Sequence, residues 1–348
     1  MTTTARPEPA DVPPTGDPAV PPASRRAALI TTARWALIVL VLVAAGWQVV
    51  RQWTEVREAL VSVHPLAAVL SFVCVILGLV AGTMSWQTLL DDLGPRVGIA
   101  RGAQICLVGQ LGKYVPGSVW AYLLQMEIGR RHGVARARVF ATSLFAAGVG
   151  VVASLVLGLA ALPVLAGEHR ELLWLFALLP VGLVCLHPRV MTWLASAIFR
   201  LLRKPPLDHT LRVGVVGRSL GWALLSYLLF GVHLWLLANS LVDPGPEALL
   251  LCAGAIALGF TAGLFAVFLP SGVGVREAVL VAALATMMSV GSATGVAVAS
   301  RLVFTVGDLT VAGLAALTAV VARRRMAAAG LPTDVPDELR QGTGSATA

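Results

Sequence analysis

The stretch "FLPSGVGVRE", residues 268–277, interrupts two long apolar segments with a proline, two glycines and two opposite charges. Pro270 is expected to end the helix before it, because proline lacks an amide N–H and clashes with the preceding turn. Ser271, Gly272 and Gly274 are small enough for the backbone to turn tightly. A new helix is therefore predicted to begin near Gly274, and the free N–H groups at its start favour an anion.

Two charged residues, Arg276 and Glu277, fall in the first turn of this predicted helix. The guanidinium of Arg276 adds a positive charge with a two-pronged geometry suited to phosphate. Glu277 either caps the helix dipole or holds Arg276 in place. The competing interpretation is an ordinary tight turn followed by a capped helix with a cytoplasmic arginine. The density of glycine and a second proline break elsewhere in the chain favour an anion site.

The composition of the chain places it in a membrane. Its 348 residues are 57% hydrophobic and 13% charged, with a mean hydropathy of +0.83. Soluble domains carry about 25% charged residues. The sequence therefore predicts an all-α polytopic membrane helix bundle. The four cysteines form no CxxC pair, and no nucleotide or metal motif is present, so we expect neither a cofactor nor a metal.

A membrane-spanning helix needs roughly 20 apolar residues. About eight segments satisfy this, at 29–50, 65–90, 139–165, 171–187, 214–241, 247–269, 275–291 and 294–321. Residues 1–24 contain seven prolines and few apolar side chains, which predicts a disordered tail. The expected organisation is a tail at 1–24, a transmembrane domain at 25–325 and a second disordered tail at 326–348.

The basic residues are distributed unevenly between the predicted loops. All but four of the 26 lysines and arginines fall on one side of the eight-span scheme; the exceptions are Arg51, Arg57 and Arg170 on the other side and Arg301 inside a helix. Basic residues concentrate in cytoplasmic loops. We therefore expect a multi-pass protein of the bacterial plasma membrane with both termini cytoplasmic. The net charge of +8 is explained by this orientation and requires no nucleic-acid partner.

Residues 99–128 are apolar enough to enter the bilayer, but they are interrupted and have basic residues on both flanks. This pattern predicts a re-entrant broken-helix hairpin, which is tolerated where its free backbone groups face protein or a wet cavity. The break is expected at Lys113, Pro116, Gly117 and Ser118. Supporting polar residues around it are Gln110, Glu127 and Arg130, although Glu127 and Arg130 are spaced to pair on a helix surface.

The two breaks resemble each other. "KYVPGSV" at 113–119 and "VFLPSGV" at 267–273 both place a proline, two small residues and a valine after apolar residues. Matching breaks in two halves of a membrane chain are typical of transporters with a binding site near the bilayer midplane. The match is short, so an internal repeat and a chance similarity both remain open.

The last predicted helix carries two charges, Arg301 and Asp308. Seven residues make about two turns, so both side chains share one face, about 10 Å apart along the axis. Charges inside a membrane normally face a partner or a cavity. Another element is expected between them, and Arg301 could meet Glu277 or a lipid phosphate. The alternative is that both charges only hold helices together.

These segments resemble a known family. "FLPSGVGVREAVLVAAL" looks like the Pro-Gly-Gly-x-Gly-x-Arg-Glu signature of the lysylphosphatidylglycerol synthase transmembrane family, a flippase-like group that includes the membrane half of the multiple peptide resistance factor. "GKYVPGSVWAYLLQ" and "ASRLVFTVGD" at 299–308 resemble two further family segments, and Ser271 stands where glycine is usual. The resemblance spans roughly 30–325. It implies a bundle of about eight helices that handles anionic lipids or lipid-linked phosphates.

The sequence and the resemblance together lead to one functional expectation and two alternatives. We expect a protein that binds and translocates an anionic phospholipid or polyprenyl-phosphate lipid through Arg276, Glu277, Arg301 and Lys113, with Asp308 in support. The alternatives are a membrane transferase using a lipid-phosphate donor, and a non-catalytic partner of a separate lipid-modifying enzyme. The soluble aminoacyl-transferase domain of the synthases is absent from this sequence, so lysine transfer is not expected. The oligomeric state stays open.

Overall fold

The computed structural model describes residues 50, 53–114, 119–165, 178–201, 210–266 and 272–328. All regular secondary structure within these ranges is helical, which confirms the predicted all-α class for this part of the chain. A π turn at Gln104–Val108 and a 3-10 turn at Leu111–Tyr114 lie between the third and fourth helices. The α-helices are α1 (Trp53–Ser62), α2 (Pro65–Asp92), α3 (Ile99–Ala103), α4 (Val119–Arg131), α5 (Arg136–Leu165), α6 (Leu178–Cys185), α7 (Pro188–Leu201), α8 (Val213–Ala238), α9 (Glu247–Phe265), α10 (Val275–Leu284) and α11 (Val290–Ala328).

Five of the described helices, α2, α5, α8, α9 and α11, are long and apolar enough to cross a membrane. They coincide with five of the eight predicted spans. A sixth crossing is formed if α6 and α7, which meet at an 81° bend, count as one broken span. Of the first predicted span, 29–50, only Val50 is among the described residues. The start of the span predicted at 171–187 also lies outside them.

The span predicted at 275–291 does not form as one helix. Helix α10 has 10 residues and is therefore ~15 Å long, about half the thickness of the hydrocarbon core. It ends at Leu284, where the Thr286 hydroxyl donates to the carbonyl of Ala283. The Ser289 hydroxyl then accepts the N–H of Ser292 and starts α11. Hydropathy did not reveal the end of this helix, because residues 286–289, "TMMS", contain neither proline nor glycine.

The chain doubles back between α3 and α4 instead of forming one continuous helix. The arm that ends at Tyr114 packs against α4, and glycines make the contact. A Cβ added to Gly109 would lie 2.9 Å from the Cα of Gln125, and one added to Gly112 would lie 2.7 Å from the backbone nitrogen of Ala121. We call this pair of arms, 99–114 and 119–131, the hairpin; its predicted turn residues Pro116, Gly117 and Ser118 lie outside the described residues.

This contact leads to a stability prediction. Gly112→Ala should lower the free energy of unfolding by about 1–3 kcal/mol, because the new methyl group meets backbone atoms that cannot rotate away. The matched control is Gly148→Ala in α5, where a Cβ meets no atom within 4 Å. Thermal unfolding of the detergent-purified proteins, followed by size-exclusion chromatography, compares the two. Equal midpoints for both variants would contradict the close packing of the hairpin arms.

Helices α2 and α8 pack against each other and are joined by small and hydroxyl-bearing residues. The hydroxyls of Ser85 and Ser219 lie 2.8 Å apart, and the Ser226 hydroxyl donates to the carbonyl of Gly78 at 2.7 Å. Close packing of small residues and hydrogen bonds of this type hold helices together in lipid, where no hydrophobic driving force exists between them. This pair forms one wall of the site described next.

A buried histidine connects α2, α8 and α11. His233 has no solvent exposure, and its two ring nitrogens lie 2.6 Å from the Ser71 hydroxyl and 2.9 Å from the Ser300 hydroxyl. A neutral imidazole satisfies both contacts, because one nitrogen donates and the other accepts. His233 is therefore a hydrogen-bonded core residue.

Candidate functional site

The guanidinium of Arg276 lies inside the protein between two aromatic rings. Its central carbon is 4.1 Å from the centroid of Phe260 on α9 and 4.3 Å from that of Phe304 on α11. The residue is only 5% exposed. Cation–π contacts of this kind stabilise a cation by about 2 kcal/mol when water is excluded. The aromatic pair fixes the plane of the guanidinium without neutralising its charge.

Glycines allow the backbone around Arg276 to approach α9 closely. Gly272 has φ +64°, and a Cβ there would lie 2.5 Å from the Cα of Gly263. Gly274, with φ +86°, is the N-cap of α10. A Cβ on Gly259 would lie 3.4 Å from the side chain of Arg276. The glycines of the 268–277 stretch and of α9 therefore bring the first turn of α10 against the middle of the bundle.

Arg276 lies level with the middle of α2, one of the helices long and apolar enough to cross a membrane. Phe260 and Phe304 both contact Phe230, with ring centroids 5.6 Å and 4.8 Å apart. Phe230 in turn packs over Gly78, which is at the middle of α2. An arginine near the centre of a bilayer costs several kcal/mol even by lenient measures, unless it meets a partner or a cavity.

Part of the hydrogen-bonding capacity of Arg276 is unused. Its Nε and Nη2 atoms are buried and have no hydrogen-bond partner among the described residues. Buried donors are almost always paired, because leaving one unsatisfied costs about 1–3 kcal/mol. A guanidinium offers these atoms as a fork that matches two oxygens of a carboxylate or phosphate. The arrangement is thus suited to an anion that enters from the neighbouring space.

The carboxylate of Glu277, the residue next to Arg276, accepts hydrogen bonds from other partners. One carboxylate oxygen of Glu277 accepts the N–H of Gly274 at 2.7 Å, which caps α10. The other accepts a hydrogen bond from Nη1 of Arg301 at 2.7 Å, and both side chains are about one-fifth exposed. Of the two partners expected for Arg301, the structure forms the contact with Glu277.

The hairpin reaches α11 through a second ion pair. Nζ of Lys113 lies 2.6 Å from Oδ2 of Asp308, and the Tyr114 hydroxyl donates to the same oxygen at 2.7 Å. Asp308 is 5% exposed. Arg301 and Asp308 therefore bind two different elements, α10 and the hairpin, in agreement with the prediction that another element separates them.

A cavity of about 360 Å³ opens between the hairpin, α2, α5, α8, α9, α10 and α11. Arg276 and Lys113 both line it, and every charged side chain on the described wall is cationic. Glycine and alanine provide much of the remaining surface. Uncharged polar side chains complete the wall, among them Ser85, Gln110, Tyr122, Gln125, Ser143 and Thr261. The cavity can thus hold an anionic group and hydrogen-bond to polar substituents on it.

This geometry can be set beside known proteins. A family model described as the lysylphosphatidylglycerol synthase TM region matches residues 30–313, which is most of the chain. The chain belongs to this family. No curated protein matches the chain. The predicted membership of the lysylphosphatidylglycerol synthase transmembrane family is thus confirmed. The match includes the Arg276–Glu277 segment and most of the helices around it.

The other residues that the sequence predicted for the site do not all lie at the cavity. Gln110 lines the cavity, and its side-chain nitrogen is 3.6 Å from the sulfur of Cys106. Glu127 and Arg130 pair at 2.8 Å at the exposed end of α4, outside the cavity wall. Hydrogen bonds from Arg130 and Arg136 hold the pKa of the Glu127 carboxyl well below its usual value. Pro270 and Ser271 lie outside the described residues.

Sequence reasoning missed the aromatic and amide groups of the site. Phe260 and Phe304 carry no signal of their own, since a phenylalanine in an apolar helix is expected whether or not it contacts a cation. Gln125 was a detectable omission, because it is an uncharged polar residue within an apolar arm. Its Oε1 accepts from the Ser143 hydroxyl at 2.7 Å, and that hydroxyl accepts from Nε1 of Trp86 at 3.0 Å.

Proposed function

We propose that this family member binds an anionic lipid with its headgroup in the cavity and moves that lipid between the leaflets of the bacterial plasma membrane. One observation carries the proposal: Arg276 is buried among the long apolar helices, lines the cavity and keeps two donors without a partner among the described residues. An anion in the cavity would satisfy both the charge and the donors. Lys113 on the opposite element supplies a second cation for the same group.

The two broken segments support a transport role. The hairpin presents Lys113 near its turn, and α10 presents Arg276 in its first turn, so both tips reach one cavity. Half-length helices whose ends meet at a midplane site are a recurrent feature of transporters. We propose that the hairpin is re-entrant and that the two breaks are equivalent parts of an internal repeat.

The headgroup alone would enter the protein. The cavity is at the low end of the ~300–1,000 Å³ typical of small-ligand sites. Acyl or prenyl chains would stay in the lipid phase, which already solvates them. Arg276, Lys113 and Gln110 would contact the phosphate region, while Glu277, Arg301 and Asp308 would hold the cationic groups and helices in position.

The test is identification of the lipid and of its movement. Native mass spectrometry of the gently purified protein should retain an anionic lipid, and reconstituted vesicles should transfer a labelled analogue of that lipid between leaflets faster than empty vesicles. A bound lipid that the protein converts chemically would instead support the transferase alternative. Accelerated movement only in the presence of a separate enzyme would support the partner alternative. Neither retention nor transfer of any anionic lipid would refute the proposal.

The proposed orientation has its own test. In a background without the four native cysteines, Asp243→Cys, in the turn between α8 and α9, should react with an impermeant thiol reagent in intact cells. Arg131→Cys, at the end of α4, should react only after the membrane is permeabilised. Both positions are exposed, so a difference in labelling reports the side of the membrane. Labelling of Arg131→Cys from outside would overturn the scheme with both termini cytoplasmic.

A further inference from the structure

We propose that α7 is an interfacial helix: it lies in the plane of the membrane, places one apolar stripe among the acyl chains, and binds the headgroups of anionic lipids through Arg189 and Arg200. The lipid surface, and not a second protein, covers the exposed apolar side of this helix. The surface is separate from the cavity around Arg276, and the inference holds whether or not the cavity translocates lipid.

The direction of α7 differs sharply from that of the helix before it. The axis of α7 turns by 81° from the axis of α6. A helix of 14 residues is ~21 Å long, but at this angle it advances only about 3 Å along the direction of α6. Helix α7 therefore adds almost nothing to the depth that α6 reaches and runs sideways from its end.

The contacts of α7 place it at one end of the bundle. A Cβ on Gly182 of α6 would lie 3.1 Å from Cγ2 of Val152, in the middle of α5. The ring of Phe199 on α7 lies 5.8 Å from that of Phe140, in the second turn of α5. Phe199 also belongs to the same core cluster as Val215, near the start of α8. Helix α7 thus lies across the end at which two membrane-spanning helices begin, which is the level of a membrane surface.

The circumference of α7 is divided into three stripes. The first is buried against the bundle and consists of Pro188, Met191, Thr192, Ala195 and Phe199. The second is apolar and at least partly exposed, and consists of Val190, Leu194, Ile198 and Leu201. The third consists of Arg189, Trp193, Ser196 and Arg200. At 3.6 residues per turn, the three stripes face three different directions. This division fits a helix with protein on one side, lipid on the second and water on the third.

Two observations identify lipid as the cover of the apolar stripe. Helix α6 exposes Val181, Leu183 and Val184 directly before α7, so one apolar surface continues from α6 onto α7. In addition, neither helix contains an acidic residue, whereas the polar stripe of α7 carries two arginines. Helices with this composition bind at the headgroup boundary of anionic membranes.

Trp193 agrees with this placement. Its side chain is 62% exposed and lies where the polar stripe adjoins the apolar one. The indole ring favours the boundary between headgroups and acyl chains, because it is apolar over most of its surface and carries one N–H donor. An exposed tryptophan is thus expected at the level at which the proposal places α7.

The first experiment measures the depth of α7 in the bilayer. Single cysteines at Arg189, Val190, Leu194, Arg200 and Leu201 carry a nitroxide in the full-length protein without its native cysteines, in vesicles of phosphatidylglycerol and phosphatidylcholine. Collisions with oxygen report acyl chains, and collisions with a water-soluble nickel chelate report water. We expect labels at 190, 194 and 201 to lie below the headgroups and labels at 189 and 200 to contact water. The mean depth should be the same at both ends of the helix.

Two exposed positions calibrate this measurement. Leu228→Cys, in the middle of α8, should report the acyl chains, and Asp243→Cys, in the turn after α8, should report water. A depth that changes steadily from residue 189 to residue 201 would show a span or a re-entrant arm and overturn the inference. Nickel access at every position, or exclusion of both reagents at 194 and 201 by a protein cover such as a second copy, would also overturn it.

The second experiment tests the binding of anionic headgroups. A bimane on Leu194→Cys is quenched by lipids that carry a nitroxide early in the acyl chain, supplied at equal mole fraction as phosphatidylglycerol or as phosphatidylcholine. Quenching by phosphatidylglycerol should be stronger by at least about twofold at low salt, because Arg189 and Arg200 attract its charge. The difference should decrease at about 1 M salt, where the Debye length is only about 3 Å.

Charge variants assign this preference to α7. Replacing both arginines, by Arg189→Gln and Arg200→Gln, should make the two lipids quench equally, and the exposed position of both side chains should leave the fold intact. The matched control is Arg57→Gln, which removes an exposed cation from α1 and should keep the preference. Equal quenching in the protein with both arginines, or an unchanged preference in the folded double variant, would overturn the binding of anionic headgroups by α7.

Discussion

Arg276→Met should abolish the proposed anionic lipid binding and lipid transfer while leaving folded protein in the membrane. Methionine fills much of the volume between Phe260 and Phe304 but carries no charge and no N–H donors. The loss of two cation–π contacts, each worth up to about 2 kcal/mol, is offset by removing a charge that costs several kcal/mol to bury. The unfolding midpoint measured without lipid should therefore stay the same or rise.

Two further substitutions at this position sharpen the result. Arg276→Ala should also abolish transfer, and Arg276→Lys should restore only part of it, because lysine keeps the charge and loses the two-pronged geometry. The matched control is Arg218→Met on α8, whose side chain is exposed, and it should transfer lipid normally. The measurements are lipid retention by native mass spectrometry and leaflet transfer in vesicles. Normal lipid transfer by a well-folded Arg276→Met protein would refute the proposed anion site.

Glu277→Ala should destabilise the protein strongly. The substitution removes the acceptor for the N–H of Gly274 and the counter-charge of Arg301 together. Breaking a buried ion pair costs about 3–5 kcal/mol, and the partial exposure of this pair places the loss near the lower end, at about 3 kcal/mol. Thermal unfolding in detergent measures the change.

Two related variants separate the stability lost with the cap of Gly274 from the stability lost with the counter-charge of Arg301. Glu277→Gln keeps an oxygen for Gly274 but not the charge for Arg301, so it should cost less than Glu277→Ala. Adding Arg301→Gln to Glu277→Gln should recover part of the stability, because the cation without a counter-charge is removed. A Glu277→Ala protein as stable as wild type, or a double variant less stable than Glu277→Gln, would show that the pair does not stabilise α10 against α11.

Sequence reasoning succeeded where local chemistry decides the outcome. Apolar runs of about 20 residues located α2, α5, α8, α9 and α11, because a helix in lipid must satisfy its own backbone and cover it with apolar side chains. Gly272 and Gly274 located the start of α10, since both adopt positive φ angles that other residues rarely adopt. The position of Arg276 in the first turn followed from the same motif.

Sequence reasoning failed where an apolar stretch contains an inconspicuous stop. Residues 275–291 read as a span because their hydropathy is uniform, yet α10 ends after ten residues and α11 begins at Val290. The hydrogen bonds of Thr286 and Ser289 decide this, and both residues are also common inside membrane helices. Hydropathy averages over such residues and therefore cannot distinguish one full span from a half-length helix and a turn.

The sequence by itself determined the membrane class, the family, the helix start at Gly274 and the positions of the charges that the bilayer must accommodate. Only the tertiary structure decided how those charges combine. Asp308 pairs with Lys113 of the hairpin, 195 residues away in the chain, and Glu277 pairs with Arg301. Arg276 is left between Phe260 and Phe304 at the wall of a cavity, with two buried donors that have no partner among the described residues. Pairing depends on distances between helices that are remote in the chain, and hydropathy and local spacing do not encode those distances.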